Sequence, residues 1–214
     1  MRRAEFTVTP IIDVDGVASA QSLSAASDIT LNGALIVGGK WASAEHSGQK
    51  LVITSVGVDS GITFTAYGKD AERHTVTASS VGGSASAVTL STYFSEITRI
   101  AASGATAATI TAGFSGAAST PAFIPNFRSE NFTAALAEIV TGTINGTCQH
   151  TFDDVFSTAW TAVNGTWFPH DDTDMVGFSA NQNSNYAFPP TACRTIINSA
   201  SSASAVTFVV IVPD

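Results

Sequence analysis

The residues best suited to metal or acid–base chemistry form an acidic segment, His170-Asp171-Asp172-Thr173-Asp174, which follows His150, Asp153 and Asp154 along the chain. Carboxylate oxygens at this density could bind a hard cation such as calcium. The spacing lacks the glycine at the sixth position and the glutamate at the twelfth that an EF-hand loop requires. Consecutive aspartates would also point to opposite faces of an extended chain, so a loop would have to gather them. We therefore expect a solvated acidic turn, with a metal site as the alternative, and assign no metal ligand.

The other potential catalytic groups are scattered. The four histidines have no paired spacing that would suit zinc, and no GxSxG nucleophile motif or Walker loop occurs. Cys148 precedes His150 by two positions, without the sequence context of a cysteine nucleophile. A glycosidase would need two carboxylates across a cleft, and the sequence does not place such a pair. We predict a protein that is not an enzyme, with no catalytic residue and no cofactor.

Clustered aromatic side chains indicate a binding surface more strongly than the scattered polar groups indicate a catalytic site. Five of them fall within the 17 residues from 152 to 168, interleaved with Thr and Asn. These are Phe152, Phe156, Trp160, Trp167 and Phe168. Such a group could form a face that binds a carbohydrate or a protein partner. The alternative is that the five side chains form the core of a domain.

Composition excludes several classes of function. The chain has 214 residues, of which only 12% are charged and 44% are hydrophobic, with a net charge of -8. Because nucleic-acid binding depends on basic side chains that neutralise phosphates, this balance argues against it. No apolar run approaches the roughly 20 residues of a membrane helix. The amino terminus, Met1-Arg2-Arg3-Ala4-Glu5, has no apolar segment behind it, which predicts that there is no signal peptide.

The two cysteines, Cys148 and Cys193, lie far apart and outside any CxxC motif. In a chain without an export signal, isolated thiols are more often reduced and buried than paired. We predict reduced, buried thiols, with a disulfide as the alternative.

Alternation of β-branched residues recurs along nearly the whole chain and predicts strands at short intervals. The clearest example pairs the runs 51–56 and 62–67 across an Asp/Ser/Gly turn, which is typical of a β-hairpin. The closing run, 205–212, is nearly all β-branched and predicts a central strand. Residues 131–140 fit a short helix or a strand. The predicted fold class is all-β, with two tandem antiparallel β-sandwich domains of Ig-like or jelly-roll-like type.

Turn-rich and proline-containing segments suggest the domain limits. We predict an amino-terminal arm at residues 1–16, a first sandwich at 17–114, a linker at 115–130 and a second sandwich at 131–214. The linker carries Pro121 and Pro125 next to Phe123 and Phe127, and its second half is expected to pack on a neighbour. A single sandwich with one long loop is the alternative.

Two long strings give the chain a resemblance. The first, DITLNGALIVGG…GQKLVITSVGVDSGITFTAYGKDAERHTVTAS…STYFSEITRIAASGATAATITAG, resembles Ig-like modules of structural proteins in tailed-bacteriophage virions. The second, CQHTFDDVFSTAW…TWFPHDD…NYAFPPTACRTIINSASSASAVTFVVI, is similar to a module often found beside them. Together they cover roughly residues 25–114 and 134–212. The chain departs where such modules carry Val-Arg-Ala-Ile-Arg, since it has Pro-Thr-Ala-Cys-Arg at 190–194.

The resemblance implies a virion structural protein, made in the host bacterial cytoplasm and located on the capsid surface or at the neck or tail. Its expected role is that of a capsid decoration or cement protein that clamps major capsid subunits. The alternatives are a neck, collar or tail adaptor, a fibre-anchoring subunit, and a protein that binds or hydrolyses glycans. The expected partners are copies of the chain itself, as a homotrimer or another symmetric homo-oligomer, and the major capsid protein or neck and tail proteins, with no nucleic acid and no membrane.

The candidate interface residues combine the basic start of the chain with aromatic side chains. Arg2 and Arg3 could dock an arm on an acidic shell protein, or could belong to a frayed terminus. The full set is Arg2, Arg3, Phe6, Phe123, Phe127, Trp160, Trp167 and Phe168.

Overall fold

A computed structural model describes residues 2–125, 134–157, 159–160 and 165–212. Its secondary structure is 60% strand and 3% helix, in several antiparallel sheets, which confirms the predicted all-β class. The helical residues of these ranges form two short 3-10 turns, Ala44–His46 and Thr173–Met175. Within the described ranges, no helix has the length and apolar character needed to cross a membrane.

The strands are numbered in chain order. They are β1 (Arg2–Val8), β2 (Ile12–Gln21), β3 (Ser27–Ile29), β4 (Trp41–Ala42), β5 (Gly48–Ser55), β6 (Thr63–Asp70), β7 (Thr75–Val81), β8 (Ala87–Ala102), β9 (Ile110–Ser119), β10 (Ala134–Thr141), β11 (Ile144–Thr151), β12 (Phe168–Pro169), β13 (Val176–Phe178), β14 (Gln182–Tyr186), β15 (Ala192–Ala200) and β16 (Ala205–Val212).

The chain divides into two compact units. One comprises residues 11–115 and is called the 11–115 unit below. The other combines residues 1–10 with residues 116–214 and is called the 116–214 unit. Each unit is described by itself.

The 11–115 unit is organised around β8. This strand pairs through residues 87–94 with β5 and through residues 94–102 with β6, and β7 pairs with β6. β3 and β4 pair with the second half of β8, and β2 pairs with β9. The core of the unit contains the fully buried side chains of Leu51, Phe64, Phe94, Ile97 and Phe114.

The predicted hairpin at 51–67 is wrong in its pairing, although both strands form. β5 and β6 each pair with β8, and they are not neighbours in the sheet. The link between them is held by the buried carboxyl of Asp59, which accepts hydrogen bonds from the Ser55 hydroxyl and, at 2.7 Å, from the backbone N–H of Ala107. This link therefore joins strands that have different partners, a feature that period-two alternation cannot reveal.

In the 116–214 unit, one sheet has the order β1-β16-β10-β14. β11 pairs with β12, β13 and β15, and β15 also pairs with the last residues of β9. β16 lies between β1 and β10, which confirms the central strand predicted at 205–212. The described part of segment 131–140 is strand, since β10 begins at Ala134.

The amino-terminal segment expected as an arm contains two strands. β1 pairs along its whole length with β16, from Arg2 opposite Val212 to Val8 opposite Val206. Val8 is fully buried, so the alternating Phe6-Thr7-Val8 run acts as an edge strand of the sheet. β2 begins at Ile12, inside the same expected arm.

Candidate functional site

Six aromatic rings of the 116–214 unit, including the imidazole of His150, form one cluster. The centroid of this imidazole lies 5.2–5.8 Å from four other ring centroids, those of Phe152, Phe168, Tyr186 and Phe188. His170 completes the cluster, at 4.5 Å from Tyr186. Ring pairs at these separations pack favourably in tilted and edge-to-face arrangements.

β11 carries this cluster from the core to the surface. Side chains two residues apart share one face of a strand, so Cys148 and His150 lie on the same face of β11, and Phe152 follows just beyond the end of the strand, with its ring 5.5 Å from that of His150. Cys148 is fully buried, His150 is nearly so, and Phe152 is 58% exposed. Phe168 on β12 lies directly opposite His150 in the antiparallel pair, which places its ring beside that of Phe152 at 6.1 Å.

We call Phe152, Phe168 and Phe188 the aromatic patch. Phe168 is 44% exposed and Phe188 is half-buried, and the Phe152 and Phe188 rings are 5.9 Å apart. Phe156, four residues beyond Phe152, is also exposed. Large exposed apolar side chains that are in mutual contact mark an interaction surface more often than isolated ones do.

The two histidines beneath the patch are held in the neutral form. For both His150 and His170, burial is the largest effect on the pKa, and it lowers the pKa below its ordinary value. His170 Nδ1 accepts the backbone N–H of Asp172 at 3.0 Å, so in the neutral ring the proton is on Nε2. His150 Nδ1 has no hydrogen-bond partner among the described residues. The base of the patch is therefore uncharged at neutral pH.

Three of the aspartates, Asp153, Asp154 and Asp172, accept hydrogen bonds from backbone N–H groups. Asp172 accepts the Ser184 hydroxyl at 2.8 Å and the Asp174 N–H at 3.0 Å, and these bonds lower its pKa. Asp153 accepts the Thr166 N–H at 2.7 Å, and Asp154 accepts an N–H within its own turn at 3.2 Å. No group of three or more His, Cys, Asp or Glu within the described ranges is arranged to hold a metal ion.

The two tryptophans of the aromatic window differ in role. Trp160 is buried and packs with Val155 and Ala192, and Trp167 lies half-buried against this group. The guanidinium carbon of Arg194 lies 3.9 Å from the centroid of the Trp167 ring, a cation–π contact. Each interpretation of the 152–168 window, a binding face or a domain core, therefore holds for part of it. Trp160 belongs to a core, whereas Phe152, Phe156 and Phe168 are exposed.

Among the other predicted interface residues, Phe6 and Phe123 belong to the hydrophobic cluster on which Phe188 of the aromatic patch also packs. Phe6 on β1 is half-buried and packs on buried Phe123 at 5.9 Å. Arg3 forms an exposed ion pair with Glu5 at 2.7 Å. Arg2 opens β1, and Phe127 lies outside the described residues.

Behind the cluster, a carboxyl group is buried between two sheets. Glu138 on β10 is fully buried, and the Thr195 hydroxyl on β15 donates to its Oε1. Burial raises the pKa of Glu138 to about 8. Cys148 and Cys193 are also buried, and both are free thiols with pKa values raised mainly by burial, which confirms the prediction of reduced cysteines.

The sequence alone does not predict several residues of this site. Tyr186 and Phe188 lie outside the 152–168 window, and His150 became central only through its register with Phe168. Glu138 has a sequence signal, because it follows Ala134 and Leu136 at the inward-facing positions of β10. A charged residue in such a series indicates a buried carboxyl.

No protein-family model matches the chain, and no curated protein matches its sequence.

Proposed function

We propose that this chain is a non-enzymatic structural protein of a tailed-phage virion, and that it binds a neighbouring virion protein through the aromatic patch. The virion setting rests on the two sequence strings that resemble phage modules. The observation that carries the binding role is the contact between exposed Phe152 and Phe168 at 6.1 Å, above a neutral base formed by His150.

The chemistry of the patch favours a protein partner. Two partly exposed phenyl rings offer apolar area, and burying it would contribute roughly 25 cal/mol per Å². Aromatic anchors of this type dominate the energetics of protein interfaces. Within the virion, the proposed position is the capsid surface, where the chain acts as a decoration or cement protein that clamps major capsid subunits. A neck, collar or tail position is the alternative.

The experiment adds purified protein to particles that lack it and locates it by cryo-electron microscopy. Density repeated over the shell would support the decoration role, and density at a single vertex or the tail would favour the alternative. Absence of binding to any particle would contradict the proposal.

Variants then test the patch itself. Phe152→Ser and Phe168→Ser remove exposed apolar area and are expected to weaken particle binding at least about tenfold each. Val37→Ser is the matched control, since Val37 is highly exposed but belongs to the 11–115 unit. Binding that all three substitutions leave unchanged would exclude the aromatic patch as the docking surface. Binding to a glycan array that depends on Phe152 would instead favour a carbohydrate partner.

A further inference from the structure

Among the described strands, β7 lies at the edge of its sheet and has one paired neighbour. Its partner among the described strands is β6, in a continuous antiparallel register from Thr75 opposite Lys69 to Val81 opposite Thr63. The strand has seven residues and contains no charge, no proline and no bulge. Natural proteins usually protect edge strands with charged side chains, prolines or bulges.

The direction of its backbone groups follows from the bonds at either end. The N–H of Asp70 donates to the carbonyl of His74 at 3.1 Å, and the N–H of Gly82 donates to the carbonyl of Ile62 at 2.8 Å. In an antiparallel ladder, hydrogen-bonded and non-hydrogen-bonded pairs alternate. Residues 76, 78 and 80 therefore bond to β6.

The alternate residues direct their N–H and C=O groups away from β6. These residues are Thr75, Thr77, Ser79 and Val81, and the side chains of all four are exposed. The carbonyl of Val81 also accepts the Ser80 hydroxyl at 3.3 Å, and a carbonyl oxygen can accept a second bond. The edge thus presents four consecutive outward positions for another strand.

We propose that this edge pairs with the β7 edge of a second copy of the chain, in an antiparallel arrangement about a two-fold axis at Ala78. In that register Thr75 faces Val81 of the second copy and Thr77 faces Ser79. The four facing pairs can each exchange two backbone hydrogen bonds. Thr–Ser pairs across strands add a favourable side-chain contact.

The uncharged side chains of β7 favour pairing with a second copy of β7 over pairing with a strand that carries charged side chains. The seven positions are neutral, so no like charges face each other along the two paired strands. Arg73, just before the strand, would lie opposite Gly83 of the second copy rather than opposite a like charge. By contrast, the edge strand β1 carries Arg2, Arg3 and Glu5. This inference goes beyond the proposed function and names a surface for the expected self-association of the chain.

A contact between two seven-residue strands is small for a specific interface. We therefore expect weak dimerisation, with a dissociation constant on the order of 10 μM. Sedimentation velocity from about 1 to about 200 μM should therefore show a monomer that becomes a dimer. Thr77→Pro removes an outward donor without breaking a bond to β6, and proline is tolerated at such an edge. We expect it to weaken dimerisation at least about tenfold. Ser91→Lys changes an exposed position of β8 and serves as the control.

Charge swaps test the register. Thr77→Lys and Ser79→Glu should each weaken self-association, and a mixture of the two variants should form a heterodimer because their new charges face each other. A mixture of Thr77→Lys with Thr75→Glu should not form a heterodimer. Residue 77 faces residue 79 of the second copy, and residue 75 lies four positions from residue 79, about 13 Å along the strand. This separation exceeds the Debye length of about 8 Å at physiological salt.

A wild-type chain that stays monomeric over the whole range would overturn the inference, and so would a dimer that Thr77→Pro leaves intact. Either result is separable from failure of the proposed function. Particle binding is tested through Phe152 and Phe168 in the 116–214 unit, whereas β7 belongs to the 11–115 unit.

Discussion

Glu138 allows a quantitative test of how the 116–214 unit is stabilised. Its carboxyl is fully buried, and Thr195 donates a hydrogen bond to Oε1. Oε2 has no hydrogen-bond partner within the described part of the chain. Because an isolated buried carboxylate is far more costly than a neutral carboxyl, the group is protonated in the folded protein at neutral pH.

The size of the effect follows from the pKa. In the unfolded chain the carboxyl loses its proton near pH 4.5, whereas the folded protein keeps it up to about pH 8. Between these values the folded state holds one more proton, so the free energy of unfolding falls by about 1.4 kcal/mol per pH unit as pH rises. Over the whole interval the loss is about 5 kcal/mol, which is comparable with the total stability of a small domain.

The substitution Glu138→Gln removes the titration while keeping the shape of the side chain. Urea unfolding at several pH values between 5 and 8.5, followed by tryptophan fluorescence, measures the difference, since Trp160 and Trp167 lie in the same unit. The wild type should lose stability relative to the variant as pH rises, by about 1.4 kcal/mol per unit up to about pH 8. Glu45→Gln, at an exposed carboxyl, is the control and should leave the slope unchanged. Parallel wild-type and Glu138→Gln curves would refute the reasoning.

Two further predictions concern packing and the thiols. Gly68→Ala should destabilise the 11–115 unit by about 3 kcal/mol or more, because its Cβ would lie 1.8 Å from a backbone oxygen of β8, whereas Gly61→Ala meets no atom within 4 Å and should be near neutral. Thermal unfolding of both variants checks this, and equal melting temperatures would contradict it. Cys148 and Cys193 should resist a thiol reagent such as DTNB in the native protein and react fully in denaturant, because both are buried with raised pKa values. Fast labelling of the native protein would show that they are accessible.

The sequence predicts the fold class and most of the strands, but not which strands are neighbours. Alternation of β-branched residues marks β5 and β6 correctly, yet both pair with β8, because pairing is decided by long-range register and by the bonds of Asp59. β1 has the same alternation over Phe6, Thr7 and Val8. Its adjacent basic residues suggested an arm, and only the pairing with β16 places it in a sheet.

The candidate site, like the strand order, could be predicted only in part, because it depends on contacts between distant parts of the chain. A local window contains Phe152 and Phe168, and the pairing of His150 on β11 with Phe168 on β12 brings Phe168 close to Phe152, which follows the end of β11. Tyr186 and Phe188 approach from a distant part of the chain, and nothing local signals that His150 lies between them. A window finds residues that are close in sequence, whereas the cluster is defined by closeness across strands.

The buried histidines and Glu138 of the 116–214 unit make opposite contributions to the pH dependence of its stability. The pKa values of His150 and His170 are lowered below the ordinary 6.5 by burial, so the folded state holds fewer protons than the unfolded state just below that pH. Their contribution to the free energy of unfolding therefore rises with pH up to about 6.5, while that of Glu138 falls from about 4.5 to about 8.

Substitutions separate the two contributions. Glu138→Gln removes the carboxyl whose contribution falls as pH rises, so the stability of this variant should rise with pH while the histidines titrate. His150→Phe removes a group whose charged form is disfavoured in the folded protein, so between about pH 5 and about pH 7 its stability should gain less with rising pH, or fall more steeply, than that of the wild type. Urea unfolding at several pH values measures both slopes. A His150→Phe slope equal to that of the wild type would mean that burial does not disfavour the charged imidazole, and the apolar base of the aromatic patch would be lost as an argument for protein binding.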